Sequence, residues 1–212
     1  MIYWTSDWHI NHANAIKYCG RTIYMNEEEL SIYNLLKDKP MHEQKQFKIS
    51  KESVDKMNQD IIYRCNERVK EEDTLFFVGD LGFKSGTGRG EGEPEKLQKY
   101  ISQINCKNII WIEGNHDYAG RNGFKTIIRK VIVHYGGMDI CIVHDPKFAD
   151  IRYKLNLVGH VHNNWLISRI EKGELFTNCY NVGVDMHNFY PIDFNKIMKN
   201  LTKGEKENEN NI

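Results

Sequence analysis

Seven side chains able to hold a metal ion stand just past the ends of five strand-like runs. Ile2-Tyr3-Trp4-Thr5-Ser6 leads into Asp7-Trp8-His9, Leu75-Phe76-Phe77-Val78 into Gly79-Asp80, and Ile140-Cys141-Ile142-Val143 into His144. Asn108 to Ile112 passes through Glu113-Gly114 into Asn115-His116-Asp117, and Leu155-Asn156-Leu157-Val158 into Gly159-His160-Val161-His162. A lone Asp-x-His or His-x-His carries little weight, because a single histidine is more often a packed or surface residue. The weight lies in every member occupying the same kind of position. Imidazole, carboxylate and amide donors without thiolate suit a borderline or harder divalent ion, such as Mn²⁺, Fe²⁺/³⁺, Zn²⁺ or Ni²⁺, better than an all-oxygen Mg²⁺ or Ca²⁺ site. Asp7, His9, Asp80, Asn115, His144, His160 and His162 are too many for one ion with an open position. They are about right for two ions sharing a bridging carboxylate.

For these groups to meet, the runs must be strands whose carboxyl ends converge, which is where open α/β sheets bind ligands. Asn11 to Tyr18 can start a helix just behind the Asp7/His9 turn. Ser53 reads as the N-cap of an amphipathic helix with Val54, Met57, Ile61, Cys65 and Val69 on its core face. Pro94 suits the first turn of another, whose core face is Leu97, Tyr100, Ile101 and Ile104. Val131 to Val143, turning at Gly136-Gly137, reads as a hairpin, and Trp165 to Phe176 as a second. Tyr180 to Val184 is the last strand, ahead of a short helix at Phe194 to Leu201. Gly20 to Ser50 is an irregular insertion, acidic and then Lys-rich with interleaved tyrosines, to be read as a solvated helical segment or as a flap over the substrate. Gly86, Gly88, Gly90 and Gly92 lack phosphate-loop spacing and read as a mobile loop. Lys203 to Ile212 is expected to be a disordered tail.

The ordered series Asp7-x-His9, Gly79-Asp80, Gly114-Asn115-His116-Asp117, His144 and Gly159-His160-x-His162 resembles the calcineurin-like metallophosphoesterase superfamily, from Ile2 to about Asp185 with the 20–50 segment excepted. Thr5-Ser6-Asp7-Trp8-His9, His12-x-Asn14, Lys17-Tyr18-Cys19 and Asn181-Val182-Gly183-Val184-Asp185 further resemble a small bacterial and phage branch. The resemblance implies an α/β fold: a mixed two-sheet sandwich flanked by helices, one domain over residues 1–202 with the insertion at about 20–50. It implies that Asp7, His9 and His162 hold one divalent ion, that Asn115, His144 and His160 hold the other, and that Asp80 bridges them, with Mn²⁺ the first candidate. His116 would face the leaving group, oriented by Asp117, which would raise its pKa. His12 and Asn14 would line the phosphate site or cap the first helix. The implied reaction is hydrolysis of a phosphomonoester or phosphodiester, small or nucleotide-like, by in-line attack of a metal-bridging hydroxide. Gly79-Asp80 continues Leu81-Gly82-Phe83, lacking the Asp-Arg-Gly of the protein phosphatase branch.

Composition narrows the partners. Lys+Arg and Asp+Glu are both 29, so no global field attracts nucleic acid or an anionic membrane; phosphate esters, including nucleotides or a nucleic-acid end, must be drawn by the metals or a local patch. Five scattered cysteines without a Cys-x-x-Cys pair favour a reducing compartment over a disulfide framework. No leader and no apolar run of membrane-spanning length is apparent, so a cytoplasmic protein is expected. Two other readings share these residues: a non-catalytic scaffold or phospho-ligand binder, whose signature would be lost ligands, and a dinuclear amide hydrolase.

Overall fold

The computed structural model describes residues 1–82, 94–117 and 128–209. Two mixed sheets pack face to face. The first runs β3 (Asn108–Ile112), β2 (Thr74–Val78), β1 (Ile2–Thr5), β9 (Ile192–Asp193), with β1, β2 and β3 parallel and β9 antiparallel. The second runs β4 (Lys130–Tyr135), β5 (Met138–Val143), β6 (Leu155–Val158), β8 (Leu175–Asn181), β7 (Ile167–Lys172). Its three central strands β5, β6 and β8 are parallel, and an antiparallel hairpin partner closes each edge.

Near-continuous apolar runs are what strands covered on both faces require, and alternation along each strand divides the core. Trp4, Phe76, Val78 and Ile112 face the second sheet and meet Ile140, Ile142, Leu155, Leu157 and Tyr180. Tyr3, Leu75 and Phe77 face outward onto helices α1 (Ala13–Tyr18), α4 (Lys51–Arg68) and α5 (Pro94–Ile101) through Ile16, Met57, Ile61, Cys65 and Leu97. Cys141, Val143, Val158 and Cys179 turn to the other side of the second sheet, under Ala149, Tyr153 and Trp165. The insertion carries a 3-10 turn at Thr22–Tyr24 and helices α2 (Glu27–Leu36) and α3 (Met41–Gln44). Lys17 Nζ anchors it by donating to the carbonyls of Gln44 at 3.2 Å and Phe47 at 2.8 Å.

Three local readings change. α4 begins three residues early, because Ser50 is extended and its hydroxyl accepts the Ser53 N–H, while the Ser53 hydroxyl donates to the Glu29 carboxylate. The runs at Glu174–Phe176 and Tyr180–Val184 belong largely to one strand, β8, which ends at Asn181; Val184 opens a 3-10 turn. The polar Thr177 that broke the pattern is fully buried and satisfied, its hydroxyl accepting from Asn156 Nδ2 at 2.7 Å. Helix α6 (Phe194–Glu209) runs past Leu201 into the stretch expected to be a disordered tail; Lys and Glu are good helix formers that extend a helix already nucleated on Ile197 and Leu201. The Gly86 to Gly92 stretch lies outside the described residues.

Candidate metal centre

The five strand ends converge, and the loops leaving them are conformationally costly. Asp7 (φ 59°), His9 (φ 51°), Asp80 (φ 58°), His160 (φ 71°) and His162 (φ 49°) all occupy the left-handed region, which non-glycine residues adopt rarely and at a cost of roughly 1 kcal/mol or more each. Cross-loop bonds hold the first two loops together: Asp7 N–H donates to Gly79 O at 3.0 Å, His9 N–H to Asp80 O at 3.1 Å and Ile10 N–H to Leu81 O at 2.8 Å. Two glycines permit the close approach. A Cβ on Gly114 would overlap Asp80 Oδ1, and one on Gly159 would overlap Ser6 Oγ and crowd Asp7 Oδ2.

The ligand atoms of Asp7, His9 and His162 lie within 4.8 Å of one another, as do those of Asp80, His144 and His160. Asp80 Oδ2 reaches toward both groups, 3.8 Å from His9 Nε2 and 3.3 Å from His144 Nε2. Asn115 Oδ1 stands between the second group's imidazoles, 3.0 Å from His144 Nε2 and 2.7 Å from His160 Nδ1. All seven residues singled out as ligands are therefore brought together. Asp7, His9, Asp80 and His144 form a buried floor. His160 and His162 are half-buried at the rim, and Asn115 is exposed.

Such a floor perturbs its own groups. Burial raises Asp7, although the neighbouring imidazoles oppose it. Burial also pushes Asp80 up, but the His144 imidazole beside it outweighs this and holds the carboxyl below its ordinary value. Burial pulls His144 down, yet the Asp80 and Asp7 carboxylates and the Val78 carbonyl leave it at about 9. In His162 burial is likewise outweighed, mainly by Asp185 and by Cys19, and the pKa reaches about 10. Metal ligation needs its imidazoles neutral and its carboxylates ionised, so ions binding here would displace the protons that these raised histidine pKa values favour.

His116 sits half-buried at the mouth, its ring 5.7 Å from that of His9. Its pKa is lowered, by burial first and then by His144, His160 and His162 against Asp80, the reverse of the sign expected from Asp117. Asp117 itself has a task the sequence did not reveal: its carboxylate accepts the backbone N–H groups of Asp80 at 2.7 Å, Gly114 at 3.0 Å and Leu81 at 3.3 Å. It staples the β2 exit to the β3 exit. His12 is buried with its ring 5.7 Å from His9 and does not cap α1 through its side chain; Asn14 follows within α1, half-buried. His187 turns to the backbone, its Nε2 2.8 Å from the Asn181 carbonyl.

Residues that sequence reasoning passed over complete the surroundings. Asp185 Oδ2 lies 2.8 Å from His162 Nδ1, with Cys19 Sγ at 3.3 Å from the same nitrogen, and Arg21 pairs with Asp185. Cys19 and Asp185 stood in stretches that carried the branch resemblance but had no role assigned, and nothing in spacing links Arg21 to a residue 164 positions away.

Residues 1–192 match the family model described as calcineurin-like phosphoesterase. A curated relative, an uncharacterized protein of Methanocaldococcus jannaschii, is 26% identical over 208 residues, covering 96% of this chain and 93% of that one. Among solved structures, a protein of unknown function from Aquifex aeolicus superposes with a TM-score of 0.57 at 20% identity, covering 94% of this chain and 98% of its own. A structure described as a novel archaeal phosphodiesterase gives a TM-score of 0.37 at 18% identity, covering 86% and 82%.

Proposed function

The chain belongs to the calcineurin-like phosphoesterase family, and from that premise we propose that it is a dinuclear-metal phosphoesterase acting on small or nucleotide-like monoesters or diesters. The observation that carries this reading is the pair of ligand groups with the Asp80 carboxylate 3.8 Å from an imidazole of one and 3.3 Å from an imidazole of the other. Mixed nitrogen and oxygen donors fit Mn²⁺ first, with iron, zinc or nickel suited to the same set. Asp7, His9 and His162 would hold one ion, Asn115, His144 and His160 the second, and Asp80 both. When bound, two divalent ions supply an activated nucleophile and neutralise the phosphoryl oxygens.

The chain's own groups do the rest. Asp7 and Asp80 return two negative charges against four positive ones, so the mouth stays attractive to an anionic ester. The buried floor excludes water from below, which leaves the rim formed by Asn115, His116, His160 and His162 as the face an ester meets. His116, on that rim, would assist the departing oxygen by donating a hydrogen bond from its neutral imidazole, since its pKa is lowered. Beside Asn115 and His144 opens a cavity of about 590 Å³ bounded by Arg129, Lys130 and the exposed Phe148. Glu113, paired with Arg129 at 2.8 Å, and Asp145 line it as well, so the cavity carries no net positive charge.

The test is hydrolysis of paired chromogenic phosphomonoester and phosphodiester substrates by metal-stripped protein titrated with Mn²⁺. Turnover is expected only with metal; Asp80→Asn should abolish it, and His116→Ala should reduce kcat by ~10²–10⁴-fold while leaving ion binding intact. Two bound ions with no turnover on any ester would favour the non-catalytic scaffold.

A further inference from the structure

The ligands assigned to one ion come from loops far apart in the chain, and a single buried cation links them, bonding the first loop directly and reaching His162 through Asp185. Arg21 is 2% exposed. One terminal nitrogen donates to the Asp7 carbonyl at 2.7 Å, the other to the Trp8 carbonyl at 2.8 Å, so the guanidinium grips the two peptide units that flank Trp8. Nε and the first terminal nitrogen also donate to the two carboxylate oxygens of Asp185, at 2.7 and 3.1 Å. Asp185, whose side chain is 2% exposed, presents Oδ2 to His162 Nδ1 at 2.8 Å. The links run without a break from the β1 exit loop through Arg21 and Asp185 to His162.

We infer that Arg21 and Asp185 are a positioning pair dedicated to the ion held by Asp7, His9 and His162, an inference that rests on the dinuclear reading above. A ligating imidazole is fixed by what its other nitrogen bonds to, and a carboxylate there holds the ring and raises its basicity. Asp185 does this for His162, leaving Nε2 for the ion. Arg21 serves two ends at once. It neutralises a carboxylate that would otherwise be buried unpaired, and it ties the carbonyls of a loop in which Asp7 and His9 both hold left-handed backbone. Only a planar fork with several fixed donors can do this, so lysine is not an equivalent.

The other ligand group is supported differently. His144 Nδ1 lies 2.7 Å from the Val78 carbonyl, and Asn115 Oδ1 spans His144 and His160. Among the described residues, neither Arg21 nor Asp185 bonds to His144, His160 or Asn115. The two ions should therefore respond separately to changes in this pair. Cys19 Sγ, 3.3 Å from His162 Nδ1, is the competing partner, and a variant at Cys19 distinguishes it.

Ion stoichiometry and affinity are to be measured by isothermal titration with Mn²⁺ and by elemental analysis after dialysis, on stripped wild type, Asp185→Asn, Arg21→Lys and Cys19→Ala, with the melting temperature of each stripped protein alongside. Wild type and Cys19→Ala should take two ions. Asp185→Asn and Arg21→Lys should keep one at wild-type affinity and bind the other 10–100-fold more weakly, and stripped Asp185→Asn should melt below wild type because it leaves Arg21 buried without its counter-charge. Two ions at wild-type affinity in Asp185→Asn and Arg21→Lys, selective loss in Cys19→Ala instead, or equal weakening of both ions in Asp185→Asn and Arg21→Lys would each overturn the inference while leaving the dinuclear reading in place. Wild type that binds fewer than two ions overturns that reading and the inference with it.

Discussion

Gly114 limits what can stand beside Asn115, because a Cβ there would overlap both Oδ1 and the backbone nitrogen of Asp80. Gly114→Ala should therefore displace the carboxylate proposed to bridge the ions. It is expected to lower stability by about 1–3 kcal/mol and to abolish tight binding of both ions, read by denaturant unfolding and by titration with Mn²⁺; unchanged binding would show that Asp80 does not need this close approach. His187 carries a second expectation. Burial lowers its pKa to about 4, against the pull of the Asn181 carbonyl. The unfolded chain takes up a proton below about 6.5 that the folded chain refuses until about 4, so the stabilisation from neutral His187 is full above 6.5 and is lost as pH falls through that window. His187→Gln should show a smaller drop in melting temperature between pH 7 and 4.5 than wild type. At this scale the cluster of residues proposed as ligands was legible, since each stands within a few residues of the end of a strand run. The carboxylate of Asp117 was not, because backbone N–H groups leave no mark on a sequence, and the Arg21–Asp185–His162 links join residues brought together only by the fold.

At the scale of elements, the parallel strands declared themselves through apolar runs covered on both faces, and β6 was bounded correctly at Leu155–Val158. β8 was split because Thr177 and Asn178 look like a break, whereas a buried threonine bonded across to Asn156 is compatible with a strand. The start of α4 was misplaced for a related reason: Ser50 and Ser53 are both credible caps by type, and only the fold shows that Ser53 is committed to Glu29. Ser50→Ala is expected to cost about 1 kcal/mol. Met57→Ala, which empties a fully buried position between α4 and the first sheet, is expected to cost about 2–5 kcal/mol. Urea midpoints at constant m-value would check both, and an unchanged midpoint for Ser50→Ala would return the cap to Ser53.

At the scale of the molecule, the proposed centre straddles the seam between the two sheets. Asp7, His9, Asp80 and Asn115 follow strands of the first, while His144, His160 and His162 follow strands of the second. The two-sheet sandwich was expected from the family resemblance; that each proposed ion would be held from both sheets required the topology. No helix among the described residues is long and apolar enough to cross a membrane. Ions bound across the seam stabilise only the folded chain, so loading at a free concentration 100 times Kd should add about 2.7 kcal/mol per ion, visible as a melting temperature that rises with Mn²⁺ and not in Asp80→Asn. The most direct test of the central claim is an anomalous difference map from crystals grown with Mn²⁺, collected at the manganese edge. The account predicts two peaks roughly 3.5–4 Å apart with the Asp80 carboxylate between them, one beside Asp7, His9 and His162 and the other beside Asn115, His144 and His160. A single peak, or two peaks that do not share Asp80, would contradict it.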